Sequence, residues 1–326
     1  MSILTQLSQN FPQLDFKSNF SLSPQTYFKI GGQAEVYLEL KERQQIIDVV
    51  NFCRNNDIKL TILGGASNVV VHDRGVSGLV LHLKITELID LKKSTLDEQF
   101  PNDKKWLIQA QAGIKTSLLV KKVIDLGYSG LEYFLGIPGT LGGAVYNNAH
   151  YLKFLISEHI SQVEIIDEQN KVKWISQKEC NFSYDSSRFQ KTQEIILTVE
   201  FALKKGNKEK SEQLVRQATK YRANTQPLGK PSSGCIFKNT PNTPQLKKLF
   251  PQFSDKQCVS AGFLIDQAGL KGVRVGDVEI SKKHAAFFIN QGKGTSTDLK
   301  KLVNLVKQRI KQQFNINLEE EIFYLS

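Results

Sequence analysis

The chain has 326 residues, 40% of them hydrophobic and 23% charged; that balance excludes a mainly disordered protein, and at roughly 100–200 residues per domain it suggests about two domains. Lys and Arg outnumber Asp and Glu by 43 to 32, a formal charge of +11. This favours an anionic partner such as a nucleotide cofactor or a phosphorylated metabolite, while the lack of a dense basic tract with interleaved aromatics argues against nucleic acid. No apolar run approaches the ~18–20 residues of a membrane span, and the start has no charged segment leading into an apolar one, so membrane insertion and secretion are disfavoured and a cytoplasmic location is expected.

Along the chain, Ile46, Ile47, Val50 and Cys53 recur at helical spacing. The run Leu60-Thr61-Ile62-Leu63 reads as a strand, as does Gly78-Leu79-Val80-Leu81-His82-Leu83. The polar stretch from Lys93 to Lys105 reads as a loop between two strands. Leu118, Leu119, Lys122, Val123 and Leu126 outline a helix that Thr116 or Ser117 can cap. The apolar run from Ile195 to Phe201 gives way to Lys204-Lys205-Gly206-Asn207-Lys208-Glu209-Lys210, read as a surface loop near a domain boundary. Leu299, Leu302, Val303, Val306 and Ile310 share a helical face, with Thr297 as its cap. The mixture is α/β or α+β.

Two small-residue loops stand out. Gly64-Gly65-Ala66-Ser67-Asn68 directly follows a strand, where converging backbone N–H groups suit an anion and an ordinary tight turn is the other reading. Gly136-Ile137-Pro138-Gly139-Thr140-Leu141-Gly142-Gly143-Ala144 is denser, and Gly142-Gly143-Ala144 can open a helix whose amides face a phosphate. Neither loop has the P-loop pattern or the Rossmann pattern. Two such loops suggest a long ligand with a diphosphate, held by another fold. Cys53, Cys180, Cys235 and Cys258 are scattered without C-x-x-C spacing, and the five histidines are scattered too, so no protein-bound metal is expected.

The order of these loops carries a resemblance. Thr26-Tyr27-Phe28-Lys29-Ile30-Gly31-Gly32-Gln33-Ala34 comes first, then Leu63-Gly64-Gly65-Ala66-Ser67-Asn68. Gly130-Leu131-Glu132 leads into Gly136-Ile137-Pro138-Gly139. Ser233-Gly234-Cys235-Ile236-Phe237-Lys238-Asn239 is next, and Leu318-Glu319-Glu320-Glu321-Ile322 closes the series. From about residue 20 to the end, the chain resembles the UDP-N-acetylenolpyruvoylglucosamine reductase family, in its compact second type. The resemblance implies an α+β fold. A vanillyl-alcohol-oxidase-type (PCMH-type) FAD-binding region would span residues 1–205, as subdomains of about 1–85 and 86–205. A smaller α+β substrate-binding domain would span 206–326, its last residues returning to the active site. It also implies NADPH-dependent, FAD-mediated reduction of the UDP-N-acetylglucosamine enolpyruvyl ether to UDP-N-acetylmuramate in peptidoglycan precursor synthesis. The FAD would be non-covalent and the protein a monomer. A different FAD-dependent oxidoreductase of the same fold and a non-catalytic flavin-binding protein are the alternatives.

By resemblance, FAD falls to Gly64, Gly65, Ala66, Ser67, Asn68, Gly136, Pro138, Gly139, Thr140, Gly142 and Gly143. Substrate falls to Tyr184, Arg222, Gln226, Lys238 and Asn239. Hydride addition to the vinyl carbon builds charge on the carboxylate side, which needs preorganised donors, and the neighbouring carbon then needs a proton. Cys235 stands where the family usually has serine and is the candidate acid; a free thiol titrates near about pH 8.5 and is mostly protonated at neutral pH. Without its flanking motif, Cys235 would read as a small buried residue behind a glycine turn. Glu321 matches the family's near-terminal carboxylate, and in a strand it would share a face with Glu319 while Glu320 points away. The sequence departs from the family at Phe182-Ser183-Tyr184-Asp185-Ser186-Ser187-Arg188-Phe189, where Asp185 occupies the slot of an arginine that supports the enolate. Arg188 would supply the missing guanidinium if a helical turn put positions 185 and 188 on one face, with Asp185 pairing to it. His284 reads as a hydrogen-bonded structural histidine.

Overall fold

The computed structural model describes residues 1–96 and 104–326. They form two compact units: residues 1–18, 36–65 and 78–222 make the first, and residues 19–35, 66–77 and 223–326 the second. The boundary anticipated at 205/206 follows the Ile195–Lys205 strand, whereas the compact units divide after Arg222, inside the Lys208–Thr225 helix.

In the first unit the Arg43–Asn55 helix buries Ile46, Ile47, Val49, Val50 and Cys53, the face its periodicity predicts. These side chains pack with Val36, Leu38, Leu79 and Leu81 in one core. The Leu60–Leu63 strand lies parallel to the Val76–Leu83 strand, Leu63 opposite His82. A second, antiparallel sheet orders Val172–Ser176, Ile160–Ile166, Ile195–Lys205, Lys104–Gln111 and Leu88–Leu96, with Tyr128–Ser129 beside Ile195–Lys205. Its inner face builds a core of Ile108, Ala110, Val163, Val199 and Phe201 against Leu119, Val123 and Leu141. The loop expected from Lys93 to Lys105 is shorter than its composition suggested. Strands run to Leu96 and resume at Lys104, and the rest of that stretch lies outside the described residues. Lys204 and Lys205 likewise belong to a strand, and a helix begins at Lys208.

The Thr116–Asp125 helix buries Thr116, Leu119, Val120, Val123 and Ile124, while Leu118 and Leu126 are exposed, so its apolar face lies one position from the predicted one. Neither Thr116 nor Ser117 caps it: Lys115 is the cap residue, and the Thr116 N–H goes to the Gly139 carbonyl at 3.1 Å. That tertiary bond sets where the helix starts.

The second unit has its own core, in which Phe28, Val70, Ile236, Phe237, Leu264 and Phe288 meet Leu299, Leu302, Val303, Val306 and Ile310 of the Ser296–Phe314 helix. The periodicity located that helical face correctly. The cap is Thr295 rather than Thr297, in a capping box with Asp298. Thr297 serves otherwise: the Asp73 carboxylate accepts the N–H groups of Ser296 (2.7 Å) and Thr297 (3.0 Å) and the Thr297 hydroxyl (2.7 Å). Asp73 thus offsets the positive end of the helix and satisfies two of its open donors.

Burial raises the Asp73 pKa, but the hydrogen bonds from Thr297 and Ser296 outweigh it and hold the carboxyl below its ordinary value. A depressed folded-state pKa gives stability that is present above the unfolded pKa and lost as pH falls through the folded one. Asp73→Ala is therefore expected to cost about 0.5–2 kcal/mol at neutral pH. Urea unfolding of the two proteins should begin to converge at about pH 4, where the unfolded carboxyl protonates, and finish as pH falls through the lower folded-state pKa.

Candidate functional site

In the first unit the two glycine loops meet. A Cβ on Gly65 would lie 2.3 Å from the Gly139 Cα, so the two main chains touch and glycine is required there. The Gly65 N–H donates to Thr140 Oγ1 at 3.2 Å. At Gly136 the neighbour is the movable Arg222 side chain, 2.9 Å from where a Cβ would stand, which places a guanidinium against the second loop. Behind the first loop, buried His82 holds the Gly64 main chain by a hydrogen bond and lies 2.7 Å from the Tyr37 hydroxyl through Nδ1. Burial, with Lys84 nearby, lowers the His82 pKa to about 4.

One expectation about the second loop fails. The helix is Leu141–Tyr146 and opens before Gly142, and its first two amides do not face outward. The Leu141 N–H goes to the Ile114 carbonyl at 2.9 Å and the Gly142 N–H to the Ala112 carbonyl at 2.8 Å, so the helix start is sewn to the neighbouring chain.

In the second unit the main chain assembles Asn68, Cys235 and Glu321. Cys235 bridges Phe287 and Phe237 bridges Glu320, both antiparallel. The Ile236 N–H donates to Ala286 O at 2.9 Å, and the Ile236 carbonyl accepts the Glu321 N–H at 2.9 Å. The Glu321 carbonyl accepts from the Asn68 side chain at 3.2 Å, and the Phe323 N–H donates to Asn68 O at 3.1 Å. From there Phe323–Leu325 runs parallel to Val69–Val71. Glu321 is therefore fixed on both main-chain groups. Lys238 is tied by its N–H to Glu319 O at 2.9 Å, and the Asn239 side chain accepts from Ala261 N at 3.3 Å. Buried Ser233 carries a hydroxyl without a hydrogen-bond partner among the described residues.

The three glutamates precede the Phe323–Leu325 strand, and Glu320 has partners of its own. Glu320 is bound by Lys307 and by the Tyr324 hydroxyl at 2.6 Å, which distinguishes it from Glu321. Burial, then the Glu320 hydrogen bond, raises the Tyr324 pKa. His284 accepts the Ala286 N–H at Nδ1 (3.3 Å), and its ring meets Phe287 edge-on, so it shapes the turn opposite Cys235. Burial lowers its pKa, as does Lys271. Ala66 holds a left-handed φ of 50° and its carbonyl accepts from Tyr27. Arg222 lies in the last turn of the Lys208–Thr225 helix, while Gln226 follows that helix and accepts from Leu228 N through its carbonyl.

The expectation for Arg188 is corrected. Its Nε and one terminal nitrogen form a bidentate pair with Glu194, both at 2.8 Å, and the other terminal nitrogen donates to Glu179 O at 3.0 Å. Asp185 does not pair with it: Asp185 Oδ1 lies 3.0 Å from His150 Nδ1. Positions 185 and 188 share no helical turn. Ser183 and Ser186 exchange main-chain hydrogen bonds around Asp185, which has φ 50°, and Ser187 is extended before the short Arg188–Gln190 turn of helix. Tyr184 is 46% exposed and its ring lies 5.0 Å from that of His150. Sequence reading missed His150, Glu194 and His82, which no local spacing connects to their partners.

Residues 226–325 match the family described as UDP-N-acetylenolpyruvoylglucosamine reductase, C-terminal domain, and residues 34–176 match the FAD binding domain family. The chain is 35% identical to the UDP-N-acetylenolpyruvoylglucosamine reductase of Chlamydia felis, over 92% of this chain and 91% of that one. It is 31% identical to the enzyme of that name from Listeria innocua, over 98% of each. Among solved structures, the UDP-N-acetylenolpyruvylglucosamine reductase of Thermus caldophilus superimposes with a TM-score of 0.72 at 28% identity, covering 96% of this chain and 99% of that one.

The Glu194 side chain is only 4% exposed, so Arg188→Ala would leave a buried carboxylate unpaired. The expected cost is about 3–5 kcal/mol in denaturant unfolding. Replacing Arg188 and Glu194 together with methionine should recover most of it.

Proposed function

The chain belongs to the UDP-N-acetylenolpyruvoylglucosamine reductase family, and we propose that it uses NADPH and FAD to reduce the enolpyruvyl ether of UDP-N-acetylglucosamine to UDP-N-acetylmuramate in peptidoglycan precursor synthesis. The loops fit the dinucleotide. Two glycine-lined main chains in contact suit a diphosphate, and Gly64, Gly65, Gly136, Pro138, Gly139, Thr140 and Gly143 would hold it. Ala66, Ser67 and Asn68 continue the first loop. Gly142 contributes close packing rather than an amide. When bound, FAD supplies the hydride that saturates the vinyl carbon.

The chain's own residues manage the proton and the charge. Cys235 Sγ–H gives its proton to the carbon bearing the ether oxygen, and the thiolate is reprotonated from solvent. Glu321 holds the carboxylate side of the substrate in its protonated form or relays that proton. Tyr184, Arg222, Gln226, Lys238 and Asn239 bind the sugar nucleotide. One observation carries this assignment: the Ile236 peptide group, next to Cys235, also fixes the main chain of Glu321. Arg188 has no part in the reaction, being committed to Glu194.

We also assign the protein to the cytoplasm as a monomer. The four free thiols, Cys53, Cys180, Cys235 and Cys258, accord with a reducing compartment. No helix of the described residues is long and apolar enough to cross a membrane.

Anaerobic stopped-flow spectroscopy tests the reading. NADPH should bleach the flavin and the enolpyruvyl sugar should restore it. Cys235→Ser is expected to retain turnover, whereas Cys235→Ala should slow formation of UDP-N-acetylmuramate by about 10²–10⁴-fold with bleaching intact. Normal turnover by the Ala variant would place the acid elsewhere. Gly65→Ala, which forces the Gly139 main chain aside, should yield protein lacking the flavin absorbance.

A further inference from the structure

The antiparallel sheet of the first unit turns one face to its core, where Ile108, Ala110, Val163 and Val199 sit. Strand alternation points the residues between them the other way. On that outer face the register lines up Trp174, Glu164, Thr198 and Gln111 across four strands. Gln109 stands two residues from Gln111 on the Lys104–Gln111 strand and so shares the face. An outward face is ordinarily solvated, yet Glu164 and Thr198 are buried, and Arg43 at the start of the Arg43–Asn55 helix reaches onto Glu164. These side chains, with Glu87, line a cavity of about 190 Å³. None of them belongs to the glycine loops or to the residues assigned to the sugar nucleotide.

The polar lining is held in place by its own bonds. Arg43 grips Glu164 through Nε at 3.2 Å and Nη2 at 2.6 Å, and the Thr198 hydroxyl donates to the same carboxylate at 2.9 Å. The Gln111 side chain accepts the Glu87 N–H at 2.8 Å, and Gln109 Nε2 donates to Glu200 at 2.9 Å. Among the described residues these bonds leave Arg43 Nη1 and the Trp174 indole N–H as spare donors and Gln109 Oε1 as a spare acceptor. Charge disfavours an ion here, since a cation would meet Arg43 and an anion would meet Glu87 and Glu164. The volume is below the ~300–1,000 Å³ of a drug-sized pocket, so it suits one small ring. A hydroxyl both donates and accepts, which matches the mixed lining. The indole of Trp174, 37% exposed, offers a flat apolar face to C–H groups. We infer that this recess is a binding site for a neutral pyranose sugar, whose ring stacks on Trp174 and whose hydroxyls bridge Arg43 and Gln109. The inference is independent of the reductase reading.

The chain has two tryptophans, Trp174 in the recess and Trp106 outside it, so the test follows both indole N–H signals of the intact flavoprotein by NMR. Titration with methyl β-D-glucopyranoside into the millimolar range should move the Trp174 signal saturably and leave that of Trp106 in place. Trp174→Leu should abolish the transfer of saturation from protein to the sugar's ring protons. Arg43→Lys keeps a cation beside Glu164 but lacks the second terminal nitrogen, and should weaken binding by about 10-fold. That second variant keeps the test decisive if Trp174→Leu fails to fold. No saturable movement of the Trp174 signal, equal movement of both indoles, or undiminished binding by the variants would overturn the inference. A saturable shift with inorganic phosphate or putrescine but not with the sugar would mark an ion site and overturn it too.

Discussion

The peptide group of Ile236 is the joint of the second unit. Its N–H holds the Ala286–Phe287 turn and its carbonyl holds Glu321, so one extended segment aligns two others that are remote in sequence. Main-chain hydrogen bonds suit this task because they cannot change rotamer. Glu321 is then secured a second time by the Asn68 side chain, and the chain end is secured by the parallel pairing to Val69–Val71. Cys235 and Glu321 therefore hang from a main-chain scaffold that substitutions of their own side chains leave in place.

The first unit solves a different problem by close approach. Two glycine-bearing loops touch through their main chains at Gly65 and Gly139, a spacing that any side chain would break. Thr140 closes the contact with a single hydroxyl, and His82 supports the strand end from behind. Elsewhere in this unit two buried carboxylates take defined partners: Glu194 pairs with Arg188 and accepts the Thr192 hydroxyl, and Asp185 faces His150. Exchanging those partners is not open to the fold, because the Ser183–Ser186 turn points Asp185 and Arg188 into different surroundings.

Helix faces and strand runs were legible wherever they reflect local periodicity. The Ser296–Phe314 helix shows it: five apolar positions foretold its buried side, since a helix hides whichever stripe is apolar. Its cap was not legible. Thr295 and Thr297 are chemically alike, and the presence of Asp73, from a distant loop, decides which one bonds the helix's own backbone. The start of the Thr116–Asp125 helix differs from its predicted cap for the same kind of reason, a tertiary bond to Gly139.

By itself, the sequence determined the α+β character, the two glycine loops and the ordered motifs that carry family membership. All of these are properties of short stretches or of their order along the chain. Tertiary structure alone decided that Arg188 is bound to Glu194, that Asp185 meets His150, and that the Leu141 and Gly142 amides serve the protein rather than a ligand. The reason is physical: a charged side chain or a backbone donor takes the partner nearest to it in space, and spatial neighbours far apart in sequence leave no periodic trace in it.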